Sequence, residues 1–191
     1  MSKQQAPTKG GRGARQRILD AAAELFYREG INATGVERLA AESSVSKRTL
    51  YQHFPSKTAM VEEYLRSIEH RVANPVDAAD QTPRERLLAV FQAPTVPSGP
   101  LRGCPFHNAA VEAAGAMPGV QEIVRANKRG FTSQLVELAK QAGAADPQLL
   151  GSELGVLYEG AAALATSLDD PSPWTQARAA AQTLIDQAVA Q

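Results

Sequence analysis

Apolar residues recur at spacings of three and four along most of the chain. Ile18, Leu19, Ala22, Leu25 and Phe26 form one such stripe, with Gly30 after it. The spacing predicts an amphipathic helix over Ala14–Gly30, because residues three and four apart share a face and glycine readily takes the left-handed conformation that ends a helix. Thr34 followed three residues later by Glu37 reads as a capping box opening a short helix with Val36, Leu39 and Ala40 inward. Ser43-Ser44-Val45 breaks the pattern. Ser46 is placed to cap a second short helix to about His53, and Ser56 a longer one to about Val72 carrying Met60, Val61, Tyr64, Leu65 and Ile68.

Further helices are predicted from Pro83 through Phe91 and from Pro105 to Ala114. After a break at Met117-Pro118-Gly119, others follow from Val120 to Gln141, Pro147 to Leu168 and Trp174 to Ala190. Residues 74–81 read as a polar linker, and the Pro- and Gly-rich stretch 93–103 as a loop. No run of alternating β-branched residues reads as a strand. The pattern predicts an all-α chain of about nine helices. It divides into a flexible basic arm over 1–13, a three-helix unit over 14–58 and a larger helical domain over 59–191.

Net charge is zero, but its distribution changes the picture. Residues 1–71 hold 12 Lys and Arg against 8 Asp and Glu, and residues 72–191 hold 8 against 12. A basic part facing an anion and an acidic part standing off it is the implied arrangement. The single cysteine, Cys104, excludes an internal disulfide and suits a reducing compartment. The polar, basic start lacks the apolar core of a signal peptide, and no stretch reaches the roughly 18 uncharged apolar residues of a membrane span. A soluble, cytoplasmic protein with no membrane contact is expected.

Two short helices joined by a tight turn form a helix-turn-helix, whose second helix reads DNA. Ala40 is small enough for a close crossing. Val36, Leu39, Val45, Leu50 and Phe54 can form a small core on Ala22 and Phe26. Ser46, Lys47, Arg48, Thr49, Gln52 and His53 then offer donors from the second helix, and residues 43–57 carry three basic residues and no acid. Lys, Ser, Thr and Tyr side chains hold phosphates, whereas Arg, Lys and Gln read base edges.

Thr34 through Lys57, with Val45-Ser46, Thr49-Leu50-Tyr51, His53-Phe54 and Ser56-Lys57, resembles the DNA-binding domain of the tetracycline-repressor (TetR) family. The Ile-Leu-Asp-Ala-Ala-Ala-Glu-Leu-Phe run before it resembles that family's first helix. The resemblance covers residues 14–65 closely and is weaker beyond, where Gly103-Cys104-Pro105-Phe106 looks like a stretch of some members. It implies a two-domain homodimer that represses from a palindromic operator, with the third helix in the major groove. Lys47, Arg48, Thr49, Tyr51 and His53 then match recognition positions, and Lys57 and Thr34 match phosphate contacts. Ser44 departs from the family's usual turn glycine and is strained if its φ is positive. The resemblance also implies a dimer interface from the last two helices and release by a ligand bound in the C-terminal domain.

A small apolar or aromatic ligand would be lined by Phe91, Phe106, Val111, Phe131, Leu135, Tyr158 and Trp174, with Tyr64, His107, Asn108 and Glu159 as polar groups. The small residues of the 149–168 helix point to close helix packing, and Gly155, Ala162, Ala163 and Thr166 with Ala177, Ala181, Leu184 and Ile185 are the expected dimer contacts. No cofactor or metal is expected, because Cys104 with His107 is half of the four-ligand set zinc needs. Three alternatives stay open: a redox-responsive Cys104, a helical enzyme using Cys104 and His107, and an interaction module whose heads do not bind DNA.

Overall fold

A computed structural model describes residues 12–71, 80–93 and 101–189. Residues 1–11 of the predicted arm over 1–13, most of the 74–81 linker and residues 94–100 of the predicted loop lie outside them, while Arg12 and Gly13 of that arm already belong to the first helix. Among the described residues there are nine α-helices and no strands: α1 (Arg12–Arg28), α2 (Val36–Glu42), α3 (Lys47–His53), α4 (Lys57–Arg71), α5 (Pro83–Ala89), α6 (Pro105–Glu112), α7 (Pro118–Gln141), α8 (Pro147–Leu168) and α9 (Ser172–Val189).

Local chemistry sets most helix ends. Gly30 follows α1 at φ +97. The Ser46 hydroxyl accepts from the Thr49 N–H at 3.0 Å, and Ser56 accepts from Ala59 N–H at 3.1 Å. Thr82 and Glu85 form a reciprocal capping box ahead of Pro83. The predicted box at Thr34 does not form. Gly35 is the N-cap of α2, while Thr34 is fully buried and donates its hydroxyl to the Gly30 carbonyl at 2.7 Å. Burial drives that side chain inward, where the carbonyls of Leu25 and Gly30, at the end of α1 and just after it, are its acceptors. Pro118 opens α7 instead of breaking the chain, since a first-turn proline lacks only an N–H that has no helical partner. Pro173 likewise sits in the first turn of α9.

The helices enclose two cores. The first joins α1–α4 to α6 and the start of α7, around Ile18, Phe26, Leu39, Leu50, Phe54, Leu65, Phe106 and Val120. The second joins α5, the rest of α7, α8 and α9, around Phe91, Leu135, Leu150, Leu154, Trp174 and Ile185. Helix α7, 24 residues and about 36 Å long, contributes Val124 to the first and Leu138 to the second.

Against α7, helix α8 depends on a missing side chain. A Cβ built on Gly151 would lie 2.5 Å from Val136 Cγ2 and 2.7 Å from its backbone N and Cα. Backbone cannot yield as a side-chain tip can. Gly130, also in α7, has open space where its Cβ would be. Gly151→Ala should therefore destabilise the protein by about 2 kcal/mol or more, and Gly130→Ala should stabilise it by up to about 1 kcal/mol. Urea unfolding of both variants checks this, and equal effects would contradict the packing described.

Candidate functional site

Helix α1 is the platform of the N-terminal unit, and α2 and α3 pack across it. The turn between them is bolted from several sides. Ser43 is buried and donates its hydroxyl to Leu39 O at 2.6 Å, while Arg17 Nε donates to Ser43 O at 3.1 Å. Ser44 takes φ +52, the left-handed conformation that favours glycine. Leu50 and Phe54 sink into the core, and the Arg15 guanidinium lies 5.2 Å over the Phe54 ring while pairing with Glu63.

That anchoring decides what α3 presents. Lys47 and Tyr51, and Arg48 and Gln52, are pairs four residues apart, and all four side chains are exposed. Tyr51 is 49% exposed, an unusual state for an aromatic side chain. Thr49 and His53 flank the stripe half-buried. Ser46 is exposed, but its hydroxyl is shared with Thr49 Oγ1 at 2.9 Å as well as capping α3. Lys57 is half-buried, and burial lowers its pKa, partly offset by Glu112 nearby. Lys47 is ion-paired with Glu37 of α2, a partner the sequence reading did not identify. Thr34 does not join this face: its hydroxyl is buried on the Leu25 and Gly30 carbonyls, so it is not offered to a phosphate.

The N-terminal unit is clasped to the rest through α6. Asn32 donates its N–H to Glu112 Oε2 at 2.7 Å and its side-chain amide to Glu112 O at 2.9 Å. Arg102 Nε donates to Tyr27 O at 3.1 Å, and Asn108 donates to Arg102 O at 2.6 Å. The Asn32–Glu112 contacts join residues 80 apart in sequence, and no spacing rule reaches that far.

At the other end of α6 lies a cavity of about 470 Å³ among α4, α6, α7 and α8. Of the predicted ligand residues, Phe106, Phe131, Tyr158 and Glu159 line it, with Cys104 and Lys128. Lys128 Nζ donates to Glu159 Oε1 at 2.5 Å and to Cys104 Sγ at 3.4 Å. The remaining predicted residues are placed elsewhere. Phe91 and Trp174 pack edge-on to Tyr158 from the second core, at centroid distances of 6.4 and 5.1 Å. Leu135 is fully buried there, and Tyr64 packs on Phe26 in the first core. Their apolar surface is used up by packing. His107, Asn108 and Val111 line a second pocket between α6 and α8 that shares Cys104 and Glu159 with the first, and Val111 is 64% exposed. The hydrogen bond to the Cys104 sulfur comes from Lys128 and not from His107.

The predicted dimer contacts need a similar correction. Gly155, Ala162, Ala177, Ala181 and Ile185 are buried inside the protomer, because their small or apolar side chains let α7, α8 and α9 approach one another. Thr166 and Leu184 are half-buried, and Ala163 is exposed. The exposed apolar row of α8 is instead Leu149, Val156 and Leu164, on the face that also carries Gly160 and Ala163.

Fold and exposed stripe together define a helix-turn-helix protein with a helical C-terminal domain. Residues 18–64 match the family model described as bacterial regulatory proteins, tetR family, and residues 83–181 match a tetracyclin repressor-like C-terminal domain. The chain belongs to the tetR family of bacterial transcriptional regulators. It is 44% identical over 59 residues to the transcriptional repressor KstR2 of Rhodococcus jostii, covering 31% of this chain and 29% of that one. It is 38% identical over 85 residues to the transcriptional activator FasR of Mycolicibacterium smegmatis, covering 41% and 37%. The chain thus matches less than half the length of either relative. A solved tetR-type regulator from Streptomyces avermitilis superposes with a TM-score of 0.79 at 31% identity, covering 92% of this chain and 97% of that one.

Tyr158 is half-buried, and its phenol has its pKa pushed up to about 12, first by desolvation and then by Cys104 and Glu159 nearby. Burial also raises that of Tyr64. A phenol whose folded pKa exceeds its unfolded value of about 10 contributes stability that is intact below pH 10 and is lost as pH rises toward the folded value. Stability should therefore fall between about pH 10 and 12, and Tyr158→Phe should flatten that fall in alkaline melts followed by circular dichroism. An unchanged pH slope in the variant would contradict the burial of this hydroxyl.

Proposed function

We propose that the chain is a repressor that binds palindromic double-stranded operator DNA as a homodimer. In this reading α3 lies in the major groove, and a small apolar or aromatic molecule in the α4–α8 cavity releases the complex. The carrying observation is the exposed stripe of Lys47, Arg48, Tyr51 and Gln52 on a helix whose opposite side is locked into the core. A rigid helix with cationic and amide donors outward suits phosphate and base-edge contacts. Ser46, Thr49, His53 and Lys57 border the same surface. A second copy across the exposed α8 row would present two recognition helices to two half-sites. The α6 clasp supports the ligand reading, since it runs from the cavity to the loop beside α2. No described helix is long and apolar enough to cross a membrane. The protein would act where bacterial DNA lies, in the cytoplasm, as a regulator and not an enzyme. The repressor sense follows KstR2, whereas FasR is an activator.

Purified protein should retard a fragment from upstream of its own gene, with affinity falling steeply as salt rises. Lys47→Ala with Tyr51→Ala should weaken binding at least tenfold while gel filtration still gives a dimer. Val156→Glu with Leu164→Glu should give a monomer. Undiminished binding by a folded Lys47/Tyr51 variant would remove α3 from the interface.

One observation favours a second reading. The Lys128 ammonium donates to Cys104 Sγ at 3.4 Å, and this cationic contact at the cavity supports reading Cys104 as a redox-responsive thiol in the same regulator. Peroxide should then lower DNA affinity in the wild type and leave Cys104→Ser unaffected. Equal responses from both proteins would exclude it.

A further inference from the structure

The carboxylate of Glu37 stands where a DNA-reading surface would not ordinarily carry an acid. Glu37 is in the first turn of α2, its side chain is 72% exposed, and it is ion-paired with Lys47, the first residue of α3. Other acids nearby are engaged elsewhere: Glu29 and Glu42 both hold Arg38, at 3.2 and 2.8 Å. Lys47 lowers the pKa of Glu37, so the carboxylate is ionised at neutral pH.

A recognition helix meets base edges with its N-terminal residues. Glu37 belongs to α2 but is held beside that end by its pair with Lys47, and a carboxylate there is repelled by phosphates and only accepts hydrogen bonds. In the major groove the base-edge donors are the amino groups of cytosine N4 and adenine N6. Lys47 is the reverse, a pure donor suited to guanine O6 and N7. A G·C pair sets two adjacent acceptors, N7 and O6, beside the N4 donor, so the ammonium can take both acceptors while the carboxylate takes the donor. An A·T pair instead places its N6 donor between two acceptors. An exposed ion pair contributes little to folding and rearranges readily, so both groups can turn from each other to the bases.

We infer that Glu37 and Lys47 together read one G·C base pair in each half-site, Glu37 accepting from cytosine N4 and Lys47 donating to guanine. Glu37 is then a specificity-determining residue. The inference rests on the DNA-binding reading above.

The test is selection from randomised duplexes by the full-length wild type and Glu37→Gln, followed by affinity measurements on the selected site and on a copy with the G·C pair replaced by T·A. The wild type should fix one G·C pair per half-site and lose about tenfold in affinity on replacement. Glu37→Gln should select the rest of the palindrome, lose less than threefold on the same replacement and bind random duplex more tightly. Circular dichroism melts confirm that the variant is folded, and Glu37→Ala serves if it is not. A variant that selects the same sequence with the same penalty, whether or not it binds more tightly, overturns the inference while leaving the DNA-binding reading intact. A wild type that selects no sequence at all overturns both.

Discussion

The close crossing of α7 and α8 is the contact on which the rest of the C-terminal architecture depends. It exists because Gly151 offers no Cβ to the Val136 backbone. With the backbones that near, Leu135, Leu138, Leu150 and Leu154 interlock into one core, which α5 and α9 then cover. The same crossing sets Lys128 and Phe131 of α7 opposite Tyr158 and Glu159 of α8, and so builds one wall of the cavity. It also turns Val156 and Leu164 away from the protomer. Core, cavity and apolar outer face are thus three consequences of one helix pairing.

The N-terminal unit works by a different economy. Helices of seven residues, such as α2 and α3, are too short to be stable alone. Burial of Leu39, Leu50 and Phe54 against α1 holds them, aided by the Ser46 cap and the Arg17–Ser43 bond across the turn. Rigidity here has a use, because exposed side chains on a fixed helix have a fixed geometry. A non-glycine residue at positive φ in the turn, Ser44, shows that the surrounding contacts outweigh local strain.

Between these units α6 acts as a strut. Its Cys104 end lies beside the Lys128–Glu159 pair, and its Glu112 end holds Asn32 next to α2. Because the first core runs continuously through α4, α6 and the start of α7, a change at the cavity wall has packed side chains to act on all the way to the helix-turn-helix.

How much of this was legible in the chain depends on the range of the interaction. Helix number and type, the Ser46 and Ser56 caps and the Gly30 stop follow from neighbours within four residues, and the resemblance over Thr34–Lys57 follows from a fixed local register. The inward set Leu39, Leu50 and Phe54 was readable because helical period alone assigns a face. Thr34 was misread because a capping box and a buried hydroxyl share one local pattern, and only the fold decides which carbonyls are nearest. Gly155, Ala162, Ala181 and Ile185 were misassigned for a related reason. Small residues announce that something approaches closely, but not whether it is α7 of the same chain or a second copy. Periodicity and capping thus determined the helices and which of their residues turn inward. Which helices those inward residues meet, and hence the Glu37–Lys47 pair, the Asn32–Glu112 clasp and the cavity around Lys128, was decided by tertiary packing, because those contacts join positions no local rule connects.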